Sequence, residues 1–370
     1  MDIRERDDLE MRKRKVAIFL HNLQQYRVPI LVLLAERYDI TVYCENAGDY
    51  EGSSLPLNVC HRNIKKLGPF YIHTKNIIPD CKKADVVLTL WNIRCLDFLV
   101  LGFMYWRSFK LIYWGIGTSG SYTRKFGSKS FITTLRNLMG LLADANIVYS
   151  SFPVSDLEAA GIDRKRIFVA NNTVANLSLR KPSKGVKNGI LFLGSLYKEK
   201  GIDELISSYH DVYSELGSNM PHLDIVGDGY DIHRLRSMVK ELNLRSNITF
   251  HGSIFDDETL AKYFDRAIVC VSPRQAGLSV LKAMSFGVCF VTSHDAITGG
   301  EILNITDRKT GILYHTKADL SAVLREAALS PERLLGIGNE ARLFYKTERS
   351  PEQMAGSISN AIDSVECVNS

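Results

Sequence analysis

Three short glycine-bearing segments in the second half of the chain have the residue types to hold a diphosphate. They are Gly194-Ser195-Leu196-Tyr197-Lys198-Glu199-Lys200-Gly201, Gly227-Asp228-Gly229 and Ser272-Pro273-Arg274-Gln275-Ala276-Gly277-Leu278. Each follows an apolar, β-rich run and so would turn from the carboxyl end of a strand toward a helix. Glycine lets backbone approach a ligand closely. A helix opening at Gly277, with Leu278 and Ser279 in its first turn, aims N–H groups outward that no earlier turn can accept. The dipole of such a helix contributes only ~0.3–1 kcal/mol. Full charges at Lys200 and Arg274 would therefore matter more. Taken singly, each segment reads better as an ordinary strand-to-helix turn. Their order along one domain is what makes them informative.

These segments need strands to end in the right place, and the sequence supplies them. In the first half, Lys15–Leu20, Ile40–Cys44, Asp85–Leu90, Leu111–Trp114, Ile147–Tyr149 and Ile167–Val169 read as strands, with a helix at Val28–Arg37. In the second half, Gly189–Leu193, His222–Val226, Ile248–His251, Ile268–Val271, Cys289–Thr292 and Gly311–Tyr314 read the same way. Ile202, Leu205, Ile206, Tyr209, Val212, Tyr213 and Leu216 recur at helical spacing between the first two of these. Strands alternating with helices predict open parallel sheets covered on both faces. The polar stretch Arg180–Lys187 reads as a linker. The expectation is an α/β chain of two Rossmann-like doubly wound domains, 1–182 and 183–350. The final helix, within 351–370, is expected to pack back on the first. In such a pair ligands sit outside the carboxyl ends of the strands, in the crevice between domains.

Bulk properties narrow the class. The chain has 370 residues, 45% hydrophobic and 24% charged, with a formal net charge of +5. That length suits two domains. Met1–Lys15 is dense in charge and has no apolar core, unlike a signal peptide. The apolar run near Phe98–Trp106 is too short to span a bilayer. Seven cysteines lack metal-knuckle or redox spacing, as expected for reduced thiols of a cytoplasmic protein. Residues 1–180 hold 25 Lys and Arg against 17 Asp and Glu. A basic half points to phosphate, anionic lipid or nucleic acid. No nucleic-acid motif accompanies it, so no nucleic-acid partner is expected.

The order of motifs from Ile190 to Leu320 resembles glycosyltransferase family 4, a large retaining family of the GT-B fold. The similarity runs through Leu193-Gly194-Ser195-Leu196 with Lys200-Gly201, then Ile225-Val226-Gly227-Asp228-Gly229. It continues through Ile248-Thr249-Phe250-His251-Gly252 and Val271-Ser272-Pro273 to Gly277-Leu278-Ser279-Val280-Leu281-Lys282-Ala283-Met284-Ser285-Phe286-Gly287. Gly299-Gly300-Glu301 and Thr310-Gly311 close it. The resemblance implies two domains facing each other across a cleft, and transfer of a sugar from a UDP- or GDP-sugar with retention. It places donor contacts at Gly194, Ser195, Gly227, Asp228, Gly252, Ser253, Gly277, Leu278, Ser279 and Lys282; Lys200 and Arg274, read from their charge, are the candidate catalytic residues. The chain departs from the family at three points. The usual pair of glutamates is replaced by Arg274 and Lys282, and the arginine of the Gly-Arg-Leu motif by Ser195. One reading is that this arginine has moved to Arg274, which would then clamp phosphate; the other has Arg274 facing solvent.

The first domain would bind the acceptor, a glycan or a lipid-linked glycan. Tyr26 and Arg27, in the loop after the first strand, are candidates, as is Trp114, either as a platform for a sugar or as core. No acid lies between Asp97 and Asp144, but six bases do: Arg107, Lys110, Arg124, Lys125, Lys129 and Arg136. Phe126, Phe131, Ile132, Leu135, Leu138 and Met139 interleave with the last four. This reads either as an amphipathic element resting on an anionic membrane surface or as a core-packed helix with a solvated basic face. No metal and no other cofactor is expected. Asp256-Asp257-Glu258 is read as a helix cap. The competing expectation is a non-catalytic GT-B subunit that binds a nucleotide or a partner transferase.

Overall fold

The computed structural model describes residues 13–47, 56–120, 126–175 and 185–366. They fall into two compact units. The first gathers the described residues of Met1–Ser119, Gly127–Ala175 and Pro351–Ser370; the second gathers those of Gly120–Phe126 and Asn176–Ser350. The boundary expected at 182/183, and the basic residues Arg124 and Lys125, lie outside the described residues.

The first unit is built on nine strands: β1 (Lys15–Phe19), β2 (Asp39–Cys44), β3 (Asn58–His61), β4 (Ile64–Leu67), β5 (Phe70–His73), β6 (Val86–Leu90), β7 (Lys110–Gly115), β8 (Ala145–Val148) and β9 (Ile167–Val169). Seven form one parallel sheet in the order β3-β2-β1-β6-β7-β8-β9, while β4 and β5 pair as an antiparallel hairpin. Apolar runs such as Val16–Phe19 and Val86–Leu88 are buried on both faces, as central parallel strands require. One face packs Leu31 and Leu34 of the helix Val28–Ala35, with Ile358 and Ile362 of the helix Pro351–Ser364. The other packs Phe98, Leu101 and Met139. The edge strand β3 and the hairpin are not among the expected strands. Their pattern is short and half-polar, and Gly68, at φ +58°, supplies the left-handed turn that folds Lys65 and Lys66 back on Tyr71 and Ile72.

The second unit has β10 (Gly189–Leu193), β11 (His222–Val226), β12 (Ile248–Gly252), β13 (Ala267–Val271), β14 (Gln275–Ala276), β15 (Cys289–Ser293), β16 (Ile297–Thr298) and β17 (Ile312–Tyr314). Six are parallel in the order β12-β11-β10-β13-β15-β17, and β14 pairs with β16. The helix Ile202–Leu216 buries Ile202, Leu205, Ile206, Tyr209 and Val212, the stripe its spacing dictates, and stops at Gly217 with φ +55°. The chain leaves β10 to build β11 and β12 on one side, then returns to place β13 on the other. The order therefore reverses between β10 and β13. A crevice opens at such a switch point because the two connections depart to opposite faces.

Candidate functional site

The glycine turns of the second unit meet at this switch point. Gly194 ends β10 with φ +149°, and its N–H donates to the Val226 carbonyl at 3.0 Å. Gly227 ends β11 with φ +142°, and its N–H donates to the Gly252 carbonyl at 2.8 Å. A Cβ on Gly227 would overlap the Gly194 carbonyl oxygen, and one on Gly229 would overlap that of Leu196. The glycines are thus required by backbone packed on backbone. Leu196 N–H closes the assembly on the Asp228 carbonyl at 2.9 Å, while the exposed Asp228 carboxylate accepts from Gly229 N–H at 2.7 Å. Gly252 ends β12 in the left-handed region at φ +72°, and Ser253 beyond it is exposed.

Lys200 is the cation of this site. Its Nζ lies 3.4 Å from the position a Cβ on Gly194 would take. The side chain is largely enclosed, and burial pulls its pKa down to about 8. Among the described residues its ammonium has no hydrogen-bond or ion-pair partner. A buried cation without a counter-charge is costly, and an arriving anion removes the cost. Ser195, half-buried, stands beside it in the same turn.

Arg274 reaches the Lys200–Gly201 turn but is not a spare charge. Its backbone N–H donates to the Lys200 carbonyl at 3.2 Å. Its stem crosses Gly201 closely enough that Cγ would sit 2.7 Å from a Cβ there. Gly201 has φ +68°, so conformation and space both call for glycine. The guanidinium Nε donates to Glu204 at 3.0 Å, and the same carboxylate accepts from the Tyr314 hydroxyl at 2.8 Å. Neither of the two expected positions, clamp or solvent, included this carboxylate. Lys282, placed by sequence among the donor contacts, donates to Asp257 at 2.7 Å and lies over the Phe286 ring.

The helix Ser279–Phe286 begins one residue later than expected. Leu278 takes the cap position without a side-chain hydrogen bond. A Cβ on Gly277 would meet nothing within 4 Å, so the approach to this helix end is open. Asp256 accepts from Thr259 N–H and caps the helix Asp257–Arg266, the role read from sequence.

On the first unit, Arg27 donates to the Tyr149 hydroxyl at 2.7 Å and to the Tyr26 hydroxyl at 3.3 Å, and lies 4.9 Å from the Trp114 ring. Burial opposes its charge while Tyr149 and Tyr26 favour it, and among the described residues it has no carboxylate partner. Trp114 is 1% exposed. The platform expectation is corrected: the indole is core, because β7 is buried on both faces and Arg27 lies over the ring. Elsewhere in this unit His73, Cys95 and Asp97 place ligand atoms within 4.8 Å of one another. His73 already donates to Asp97 from both its backbone N–H and its ring, and burial pushes the Cys95 thiol up to about 12. These contacts account for the cluster as a self-satisfied part of the core.

Residues 187–329 match the family described as Glycosyl transferases group 1. The chain is 28% identical over 163 residues to the alpha-monoglucosyldiacylglycerol synthase of Streptococcus pneumoniae, an alignment covering 42% of this chain and 35% of that protein. It spans about a third of the length of the curated relatives it matches. Among solved structures it resembles Anabaena Alr3699/HepE in complex with UDP and glucose, with a TM-score of 0.69 at 14% identity, over 95% of this chain and 100% of that one. A mutant of S. aureus TarM in complex with Fondaparinux, alpha-GlcNAc-glycerol and UDP gives a TM-score of 0.66 at 14% identity, again over 95% and 100%. The fold is GT-B. The segment that matches the family lies within the second unit.

Three features of this unit were missed from sequence. Glu204 is one of many acids at helix starts, and only the fold shows it facing Arg274. Tyr197 and Tyr230 stack at 5.5 Å across two of the glycine turns, and the Tyr230 hydroxyl donates to Glu199 at 2.8 Å. A tyrosine in each turn was the available signal. Glu301 accepts from Gly299 N–H at 3.0 Å, while Gly300 N–H donates to the Thr298 hydroxyl at 3.0 Å.

Proposed function

We propose that this protein transfers a glycosyl group from a nucleotide-sugar to an acceptor hydroxyl, with retention at the anomeric carbon. The observation that carries the reading is Lys200: a largely enclosed ammonium with no counter-charge among the described residues, beside glycine turns at the switch point of a unit that matches a glycosyltransferase family. As the sugar leaves, negative charge develops on the departing β-phosphate. Lys200 and the N–H groups opening the helix Ser279–Phe286 are fixed in place before the reaction and stabilise that charge. With retention, the departing phosphate oxygen takes the acceptor proton, and the chain need supply no general base. No metal is assigned to the step.

The relatives support a UDP-linked donor and a glycan or glycolipid acceptor. Arg27, a cation held by tyrosine hydroxyls and the Trp114 ring with no carboxylate partner among the described residues, suits an acceptor bearing a negative group such as a phosphate. The setting this favours is the synthesis of a surface polysaccharide or glycolipid. A non-catalytic nucleotide-binding subunit is the second reading. It is favoured by Arg274 and Lys282, which stand where the family's glutamates would and are neutralised by Glu204 and Asp257.

A thermal-shift panel of UDP, GDP, CMP, dTDP and their sugars tests the donor, since ligand binding to the native state raises its melting temperature. Stabilisation by a nucleoside diphosphate, followed by its release from the matching sugar in the presence of glycan or glycolipid acceptors, is the expected result. Stabilisation without release selects the subunit reading. No stabilisation by any of them overturns both.

A further inference from the structure

The helix Phe131–Gly140 buries Met139 but presents Phe131, Ile132, Leu135 and Leu138 outward. Thr133, Asn137 and Gly140 face the interior of the first unit. Thr133 hydroxyl bonds Ser119, and Gly140 leaves room for the Trp91 ring, whose Nε1 donates to the Arg136 carbonyl. The outer face carries Phe131, 82% exposed, with Leu135 and Leu138 at helical spacing below it. A helix on a water-facing surface has the reverse arrangement.

A second exposed group borders the same helix. Phe103 ends the helix Leu96–Phe103 and Tyr105 and Trp106 follow it; they are 64%, 88% and 65% exposed. Arg107 donates to the Leu142 carbonyl at 3.3 Å, and Gly102 lies against the Leu142 side chain. The aromatic group is thereby held at the carboxyl end of the outward-facing helix. Arg166 donates to the Leu141 carbonyl at that same end, and Arg164 and Lys165 beside it are exposed. Lys129 stands exposed before the amino end, paired with Asp156. From Phe98 to Ala143 the chain has no aspartate or glutamate.

We propose that this face of the first unit docks on a bilayer containing anionic lipid. The apolar side chains enter the acyl boundary, Tyr105 and Trp106 lie at headgroup level, and the flanking cations meet lipid phosphate. An apolar outer face, an aromatic rim and the exposed cations Arg164 and Lys165 at its border fit an anionic apolar interface better than a second copy of this basic chain, whose like charges would oppose pairing. The proposal does not depend on the transferase reading.

The chain contains three tryptophans, Trp91, Trp106 and Trp114. Trp91 and Trp114 are 6% and 1% exposed, so an emission change on adding vesicles reports Trp106. The full-length protein is titrated with phosphatidylcholine vesicles and with vesicles that also contain phosphatidylglycerol. The expected result is a blue shift and co-flotation with the anionic vesicles, weakened by salt, and about tenfold weaker partition onto the neutral ones. Leu135→Ser with Leu138→Ser should weaken partition by about tenfold or more, while melting temperature and UDP binding stay as in the wild type. UDP binding measured on the same sample keeps this test separate from the donor site. No blue shift with either vesicle overturns the proposal. So does equal partition onto both, or a dimer in solution that Leu135→Ser dissolves.

Discussion

Arg274 and Glu204 form an ion pair in which Nε donates to the carboxylate at 3.0 Å, with the arginine stem lying across Gly201. A negative charge is thereby held next to the turn that carries Lys200. In Glu204→Gln the shape and one acceptor remain while that charge is lost. We expect nucleoside diphosphate to bind several-fold more tightly, because a carboxylate near a diphosphate repels it. The exposed pair itself is worth only about 0.5–1 kcal/mol, so the loss of stability should be of that order. Isothermal titration with UDP decides the first point: unchanged or weaker affinity would place the pair away from the phosphates.

Lys200 gives a pH dependence with a defined sign. Burial lowers its pKa from 10.5 to about 8 in the folded chain. A bound diphosphate favours the protonated form and raises that value again. Affinity should therefore be level below about pH 8 and fall as the pH rises through and beyond it. Lys200→Met should abolish this slope along with most of the affinity. The same linkage predicts a gain in stability. The unfolded chain keeps the proton up to a higher pH, so the penalty for burying the charge is full below about pH 8 and relieved above it. At pH 7, Lys200→Met should melt higher than the wild type in the absence of ligand, as a destabilising functional group predicts. A lower melting temperature would mean the ammonium has a stabilising partner.

Gly227→Ala tests the backbone packing under the site. The new Cβ would overlap the Gly194 carbonyl, and φ +142° is closed to alanine without strain. A loss of about 2–4 kcal/mol is expected in denaturant titration, with UDP affinity lost even where the chain stays folded. Gly336→Ala is the control, since nothing lies within 4 Å of that position and it sits within the helix Glu332–Glu348. It should be neutral or slightly stabilising.

Most of the second unit was legible in the sequence. β10 and β11 and the helix Ile202–Leu216 have the bounds that apolar runs and helical spacing indicate, because these segments are buried on both faces or along one clear stripe. The turns were legible because glycine is irreplaceable where Gly227 and Gly229 touch backbone. Side-chain pairing was not legible. Glu204 and Arg274 are 70 residues apart, and no local rule distinguishes Glu204 from Asp203 or Glu199. Trp114 at a strand end reads the same whether it faces solvent or core; the neighbouring strands and Arg27 decide it. The segment Phe131–Gly140 left two readings open, because its periodicity is the same whether the apolar stripe faces the core or the outside; the exposure of Phe131, Leu135 and Leu138 shows which side it takes.

Chelation should leave transfer intact. The retaining chemistry proposed here places Lys200 and helix N–H groups where a metal would otherwise neutralise the leaving phosphate. Activity in EDTA should equal activity in its absence, measured as release of nucleoside diphosphate. Loss of activity restored by Mn²⁺ or Mg²⁺ would assign the phosphate charge to a metal instead.

The last prediction separates two roles for Arg274. Both Ser195 and Arg274 lie in turns that flank Lys200: Ser195 follows Gly194, and Arg274 N–H bonds the Lys200 carbonyl. If Arg274 contributes positive potential to a bound diphosphate, Arg274→Glu should weaken binding more than Arg274→Ala does. The new carboxylate would also face Glu204, the present partner of Arg274, and like charges at such range repel by about 4 kcal/mol at an intermediate dielectric. Part of that repulsion would appear as lost stability, so melting temperature is followed alongside affinity. Adding Ser195→Arg places a guanidinium on the other side of Lys200. In the Arg274→Glu background it should recover part of the affinity, whereas in the wild type, where Arg274 is still present, it should add less. The difference is a coupling energy, measured by a double-mutant cycle on the UDP dissociation constant and expected at about 0.5–3 kcal/mol. Strict additivity would show that the two positions share no ligand. Arg274 would then be a structural partner of Glu204 and Gly201 alone, and Lys200 the sole side-chain cation acting on the phosphates from this turn.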